Sequence, residues 1–284
     1  MTIRTVGVLG CGLMGSGITQ VSAAAGYRTV VREVDARLLD QGLTRIRQFL
    51  DAGVAKGKLT EDSRSATLAN ITGTTSFDAF HDCDLVIEAI VENVQAKQLA
   101  YSALEQVIPN HAILLSNTSS ICITELAAAT IRPERFAGLH FFSPVPLMKL
   151  VEVIRALTTS DKTYRAAVDF AVSIGKEPVA APDRPGFIVN RLLVPYLLDA
   201  VRAHENGLGS VEDIDKGMTL GCGHPIGPFA LLDFIGLDTA YSVASIMFDE
   251  FREPAYAPPP LLKRMILAGR LGRKSGQGFY TYSA

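Results

Sequence analysis

The sequence predicts an α/β fold: a doubly wound, mostly parallel sheet followed by a smaller all-helical domain. Three observations carry that expectation. Apolar strand-like runs alternate with amphipathic helical runs from the N-terminus onward. The segment "APDRPGF", residues 181–187, concentrates prolines and glycine where the alternation stops. Beyond it the chain reads as helix alone. The boundary is therefore set after residue 184, giving domains of 1–184 and 185–284.

The elements follow in order. "TVGVLG" (5–10) is a short apolar strand with a helix starting near Met14, and "RTVVRE" (28–33) is the next strand. Asp35 after it suits the start of the following helix better than a ligand role. "CDLVIEAI" (83–90) leads into a helix through Lys97 and Leu104, and "AILLSN" (112–117) into a short helix at "ITELAAA". "RFAGL" runs up to His140, and "KLVEVI" (149–154) is a further strand. Past the boundary, "FIVNRLLVPYLLDAV" and "FALLDFIGLDTAYSVASIMF" are apolar on more than one face. Such helices form a core, and the surplus apolar surface suits closure of a homodimer through the C-terminal domain.

With 284 residues, 48% of them hydrophobic, the chain can bury a substantial core. A formal charge of -2 without a long basic block argues against nucleic acid or an anionic membrane as partner, and points to a small substrate. No continuous apolar run is long enough to span a bilayer. Cys11, Cys83, Cys122 and Cys222 are scattered and form no C-x-x-C, so neither a disulfide framework nor a metal site is expected, and a reducing cytoplasm fits. Arg4 and "SAAAG" loosely mimic a secretion signal. The glycines that break the intervening apolar run are unnecessary for a signal core and useful in a phosphate-binding turn.

Those glycines form the clearest motif. "VGVLGCGLMGSGI" sets Gly10, Gly12 and Gly15 in G-x-G-x-x-G spacing after the first strand and into a helix. The first glycine permits a tight turn, the second lets the backbone approach a pyrophosphate, and the third lets helix and strand pack closely. The amides opening the helix, at Leu13 and Met14, then face the phosphate charge. Glu33 closes the second strand about 20 residues on, where a carboxylate accepts from the adenosine ribose hydroxyls. The fold is thus Rossmann-like, and Glu33 favours NAD because a 2'-phosphate would meet a like charge. Arg32 beside it is either a solvated surface arginine or the group that accommodates that phosphate, so NADP stays open.

Ligands of such sheets bind beyond the carboxyl ends of the strands. Two candidates lie there: "SNTSS", with Asn117 and Ser119, and His140. Taken singly they read as a turn and a core histidine. Glu152 changes the reading, because a carboxylate inside "KLVEVI" needs a partner and His140 can supply one. Held by a carboxylate, one imidazole nitrogen keeps its proton and the other acts as a base. A Ser-His-Glu hydrolase would use the same residues, but there is no G-x-S-x-G elbow and the glycine turn would go unexplained. A base that removes a hydroxyl proton while a nicotinamide takes hydride uses both halves.

At this point the residues resemble a known family, the short-chain L-3-hydroxyacyl-CoA dehydrogenases. The likeness runs the length of the chain through "CDLVIEAIVE", "LLSNTSSICITE", "GLHFFSPVPLMKLVEVI", "RPGFIVNRLL", "VEDIDKGM", "GHPIGP" and "LGRKSGQGFY". It implies reversible oxidation of a short (S)-3-hydroxyacyl-CoA, such as the 3-hydroxybutyryl ester, with NAD. By that resemblance His140 is the catalytic acid/base, Glu152 orients it, Ser119 hydrogen-bonds the substrate oxygen, and Asn190 helps to position the reacting groups. Glu92, Lys97 and Asn117 are expected to line the cofactor cleft, with Lys274 approaching the dinucleotide. Lys56, with Lys58 nearby, falls where the family grips the CoA phosphates. One position departs from the pattern: Ser143 stands where asparagine is common, and a hydroxyl cannot make an amide's contacts. Two other readings stay open on the residues alone, a dehydrogenase of a free hydroxy or sugar acid and a non-catalytic dinucleotide-binding protein.

Overall fold

The computed structural model describes residues 2–282. The chain divides into two compact units, the first ending at Asp183 and the second beginning at Arg184.

The first unit holds one sheet of β1 (Thr5–Leu9), β2 (Arg28–Arg32), β3 (Ile71–Thr74), β4 (Leu85–Glu88), β5 (Ile113–Ser116), β6 (Phe136–Phe141), β7 (Leu150–Ile154) and β8 (Glu177–Ala181). Their order across the sheet is β3-β2-β1-β4-β5-β6-β7-β8. All neighbours are parallel except β6 and β7, which run antiparallel. The chain order reverses between β1 and β4, which is the switch point where ligands of this architecture sit. β3 has no clear signal in the sequence, and the reason is its place: "ITGT" lies at the sheet edge, only partly buried, so nothing selects a run of apolar residues.

Strand alternation sorts the side chains by face. On one face Val6, Val8, Val31, Ile87, Leu115, Leu139, Phe141, Val151 and Val153 form a core with Ile18 of α1 (Leu13–Ala24) and Phe170 and Ala171 of α6 (Asp161–Ser173). Leu39 and Leu43 of α2 (Ala36–Ala55) pack against it. The other face meets α4 (Val94–Leu104) and α5 (Ile123–Ala128): Tyr101 and Phe136 stack edge to face at 5.3 Å, and a side chain at Gly138 would strike Ile123. Cross-strand register puts Glu88 beside Ser116, Ser116 beside Gly138, and His140 opposite Glu152. Those polar residues therefore share the second face. α3 (Glu61–Ala69) completes the excursion between β2 and β3.

The second unit comprises α7 (Val189–Glu205), α8 (Val211–Cys222), α9 (Pro228–Ile235), α10 (Leu237–Phe251) and α11 (Pro260–Leu267). Leu197, Leu198, Val201, Phe229, Leu232, Ala244, Met247 and Leu262 make its core. The long apolar run of residues 229–248 is two helices, because the backbone at Gly236 takes φ 99° and the pair bends by 95°. Asp215 accepts from the Phe229 and Ala230 amides at the start of α9 and from the Tyr280 hydroxyl. Asp233 accepts from the Phe279 and Tyr280 amides and the Tyr282 hydroxyl, pinning the C-terminal segment. Among the described residues no single helix is long and apolar enough to cross a membrane.

Candidate active site

The glycine turn has the geometry its spacing implies. Gly10 takes φ 95°, and a side chain there would strike the Ala89 carbonyl; one at Gly15 would overlap the Gly10 carbonyl. At Gly12, by contrast, an added Cβ would meet nothing within 4 Å. The turn is closed on two sides and open on the third. α1 begins there with Gly12 as its N-cap, without a capping side chain and without an acidic residue in its first turn. Its first amides, at Leu13 and Met14, thus point their positive end of the helix dipole at an open space. These features fit the pyrophosphate of a dinucleotide.

Glu33 is tied into the same turn: one carboxylate oxygen accepts from the Cys11 amide at 2.7 Å, the other from the Val34 amide at 2.9 Å. An ionised carboxylate offers about four acceptor positions, so both oxygens can still accept from ribose hydroxyls. The Gly10 amide donates to the Arg32 carbonyl at 2.8 Å, which joins the turn to the end of β2. Arg45, on α2, reaches the Cys11 carbonyl from behind. Asp35 is the N-cap of α2, its carboxylate accepting from the Leu38 amide.

A buried polar network underlies the ends of β4 and β5. Glu88 accepts from the Lys97 ammonium, the Ile90 amide, and the Tyr101 and Ser116 hydroxyls. Lys97 is 1% exposed and also lies 3.3 Å from Glu92. Lys97 is thus enclosed between the carboxylates of Glu88 and Glu92 at the base of the cleft that it is expected to line. Glu92 collects the Thr118 and Ser120 hydroxyls and, at 3.1 Å, the Ser119 amide. Burial pushes the Glu92 carboxyl up, but the Lys97 charge and these three donors outweigh it and leave it below its ordinary range. The result is a rigid loop from which Ser119 projects half-exposed, its hydroxyl without a partner among the described residues.

His140 and Glu152 sit directly opposite each other across the antiparallel β6–β7 pair. The histidine Nδ1 and a Glu152 carboxylate oxygen are 2.8 Å apart, with both side chains buried. They are adjacent ladder partners, which is the closest approach a sheet allows two side chains. The His140 ring packs on Phe142 at 4.6 Å. Asn117, half-buried, accepts from the Phe141 amide at 2.9 Å and so fixes the backbone next to His140 rather than only lining a cleft. Ser143 begins the turn between β6 and β7, with no hydrogen bond among the described residues.

The remaining expected residues are spread more widely. Lys56, at the C-cap of α2, and Lys58 are exposed and form no ion pair among the described residues. In the second unit Asn190 is half-buried in the first turn of α7. Lys274 bonds the Asp238 carboxylate at 2.7 Å, so its ammonium already has a partner within its own unit. Asp183 accepts from the Ile123 and Thr124 amides at the head of α5 and was read only as part of a boundary.

Comparison with known proteins shows the family. Residues 5–184 match the model of the 3-hydroxyacyl-CoA dehydrogenase NAD binding domain, and residues 186–282 match that of the C-terminal domain. The chain belongs to the 3-hydroxyacyl-CoA dehydrogenase family. It is an oxidoreductase that binds NAD. A 3-hydroxybutyryl-CoA dehydrogenase of Mycobacterium tuberculosis is 49% identical over 99% of both chains. The human mitochondrial hydroxyacyl-coenzyme A dehydrogenase is 46% identical over 99% of this chain and 91% of its own. The crystal structure of (S)-3-hydroxybutyryl-CoA dehydrogenase PaaH1 from Ralstonia eutropha superposes with a TM-score of 0.95, at 45% identity and full coverage of both chains. Glu88, Tyr101, Ser116 and Thr118 escaped the sequence reading of this family member. A glutamate inside the apolar "DLVIEAI" was the signal available for Glu88, the same signal that exposed Glu152.

Proposed function

We propose that the protein oxidises (S)-3-hydroxybutyryl-CoA reversibly to acetoacetyl-CoA, with His140 as the acid/base. The observation that carries this reading is the buried 2.8 Å bond between His140 Nδ1 and Glu152. With Glu152 accepting at Nδ1, the proton stays on that nitrogen and Nε2 is the basic one. His140 Nε2 removes the substrate hydroxyl proton, and Glu152 balances the imidazolium that forms. Bound NAD supplies the hydride acceptor. In reverse, the imidazolium returns its proton to the developing alkoxide. Ser119, held by Glu92 through its amide, directs its hydroxyl to the same substrate oxygen.

The rest of the assignment rests on the resemblance. Glu33 takes the ribose, Asn117, Glu92 and Lys97 line the cofactor cleft, Lys56 meets a CoA phosphate, and Asn190 and Lys274 contribute from the C-terminal domain. We assign residues 1–184 to cofactor binding and 185–284 to substrate binding and homodimer formation, in the cytoplasm, in short-chain acyl-CoA metabolism. Exposed leucines at 192, 208, 220 and 267 support the dimer, since a helical domain of this size gains from covering them.

The test is His140→Gln, assayed by loss of NADH absorbance with acetoacetyl-CoA. Turnover is expected to fall by about two to four powers of ten, the usual range for an acid/base group, with NADH binding nearly intact. Turnover near the wild-type rate would remove the assigned base. Free acetoacetate serves as the control: equal rates with it would move the substrate from a CoA ester to a free acid.

A further inference from the structure

We propose that Phe77 determines the preference for NAD over NADP by withholding Arg32 from the position of a ribose 2'-phosphate. The sequence places Arg32 beside Glu33, where a guanidinium would suit that phosphate. The fold gives it a different partner. Its Cζ lies 3.9 Å from the centroid of the Phe77 ring, within the range of a cation–π contact. Its Nε donates to the Thr75 carbonyl at 3.1 Å. Both contacts come from the segment that follows β3, on the side of β2 away from the glycine turn.

That segment is a firm support. The Ser76 amide donates to Thr74 Oγ1 at 3.0 Å, the Asp78 amide to Ser76 Oγ at 3.1 Å, and the Phe80 amide to the Phe77 carbonyl at 2.9 Å. Phe80 itself is fully buried against the sheet. Phe77 is therefore held by its own turn and does not depend on Arg32 for its position. Glu33, anchored by the Cys11 and Val34 amides, stays in place with its charge. A 2'-phosphate arriving there meets a fixed carboxylate, while the adjacent cation is engaged elsewhere. Discrimination is the difference between two affinities, and both groups act against the phosphorylated form.

Phe77 touches neither the glycine turn nor Glu33 through any hydrogen bond, so its removal leaves the cofactor contacts shared by both dinucleotides. The experiment measures dissociation constants for NADH and NADPH by nicotinamide fluorescence, in the wild type, Phe77→Ala, Phe77→Leu, Arg32→Ala and the Phe77→Ala/Arg32→Ala pair. The leucine variant keeps an apolar side chain on the turn without an aromatic face, so the test survives a folding defect in the alanine variant. Loss of the ring is expected to tighten NADPH about tenfold or more, the scale of one contact to a charged group, with NADH changed by less than about twofold. The gain should vanish in the double variant, because it needs Arg32. An unchanged NADPH to NADH ratio in both Phe77 variants, or a gain that persists without Arg32, overturns the proposal. A loss of NADH affinity without any NADPH gain would also overturn it, and would make the Arg32–Phe77 pair part of the adenosine floor.

Discussion

Replacing Glu152 by Gln removes one charge from the reacting pair and almost nothing else. The side chain keeps its size in a position that is 0% exposed, opposite His140 in the ladder. In the native pair, Glu152 faces His140 Nδ1 at 2.8 Å, and under the proposed mechanism the imidazole becomes a cation when Nε2 takes the hydroxyl proton. At an effective dielectric of about 20, unit charges about 4 Å apart attract by about 4 kcal/mol. Full development of the cation would therefore be worth about three powers of ten in rate, and partial development about two. An amide also presents either an oxygen or an NH₂ to Nδ1, and the second orientation enforces the wrong tautomer. The expected outcome is a fall in kcat of about a hundred- to a thousandfold in both reaction directions. The dissociation constant for NADH should stay near the wild-type value, since the glycine turn and Glu33 are untouched. The assay is NADH absorbance with acetoacetyl-CoA and with the hydroxy ester, accompanied by fluorescence titration of NADH and a thermal melt. A kcat within about fivefold of the wild type would refute the charge-balancing role, and a matching loss of NADH affinity would show that the variant had disturbed the fold rather than the chemistry.

Other perturbations separate structure from chemistry. Glu88→Gln strands the enclosed Lys97 with only Glu92 as counter-charge, and should cost about 3–5 kcal/mol, or about 6–20 °C in Tm for a unit of this size. Lys97→Met should cost less, because Glu88 keeps its amide and two hydroxyl donors; melting curves in the opposite order would contradict the network. Glu92 has a depressed carboxyl, so its contribution to stability is present above the ordinary carboxylate value of 4.5 and is lost as pH falls through its lower folded value. The stability gap between wild type and Glu92→Gln, followed by urea unfolding, should be flat above about pH 5 and narrow below it. A gap that widens on acidification would reverse the assigned direction. Burial pushes the Cys11 and Cys83 thiols up to about 12, and Cys222 is exposed. A thiol reagent at pH 8 is expected to label Cys222 rapidly and the two buried thiols only after denaturation; rapid labelling of Cys11 would mean that the glycine turn opens in solution.

How far the fold is legible in the sequence depends on what each element buries. β1, β2, β4, β5 and β7 are packed on two faces and so show as compact apolar runs, and the N-cap Asp35 marks the start of α2. β3 shows nothing, because an edge strand with exposed residues is under no such constraint. The break at Gly236 was hidden for the opposite reason: both α9 and α10 are apolar, so one run of sequence served two directions. At the site, G-x-G-x-x-G was legible because sterics admit little else at Gly10 and Gly15. The partner of Lys97 is not legible, because only the fold brings the carboxylate of Glu88 beneath that lysine. Asp238, the partner of Lys274, lies in α10 and leaves no mark on the local pattern around that lysine.

Glu33, Glu88, Glu92 and Glu152 pose the same question in sequence, a carboxylate at or near the end of an apolar strand. Their partners give four different answers. Glu33 receives two backbone amides and shapes a turn. Glu88 receives an ammonium and two hydroxyls in full burial and holds two strand ends together. Glu92 is shared between that ammonium and the loop bearing Ser119, so it ties the buried core to a half-exposed hydroxyl. Only Glu152 is paired with an imidazole. Amides and a lysine ammonium are donors only, whereas a neutral imidazole presents a donor on one nitrogen and an acceptor on the other. The same electrostatic device thus serves structure in three places and, in the fourth, orients the imidazole proposed as acid/base, and what separates them is the chemistry of the partner rather than the burial of the acid. A buried carboxylate in a strand is accordingly a reason to look across the ladder, and the residue found there decides whether it is a brace or part of a catalytic pair.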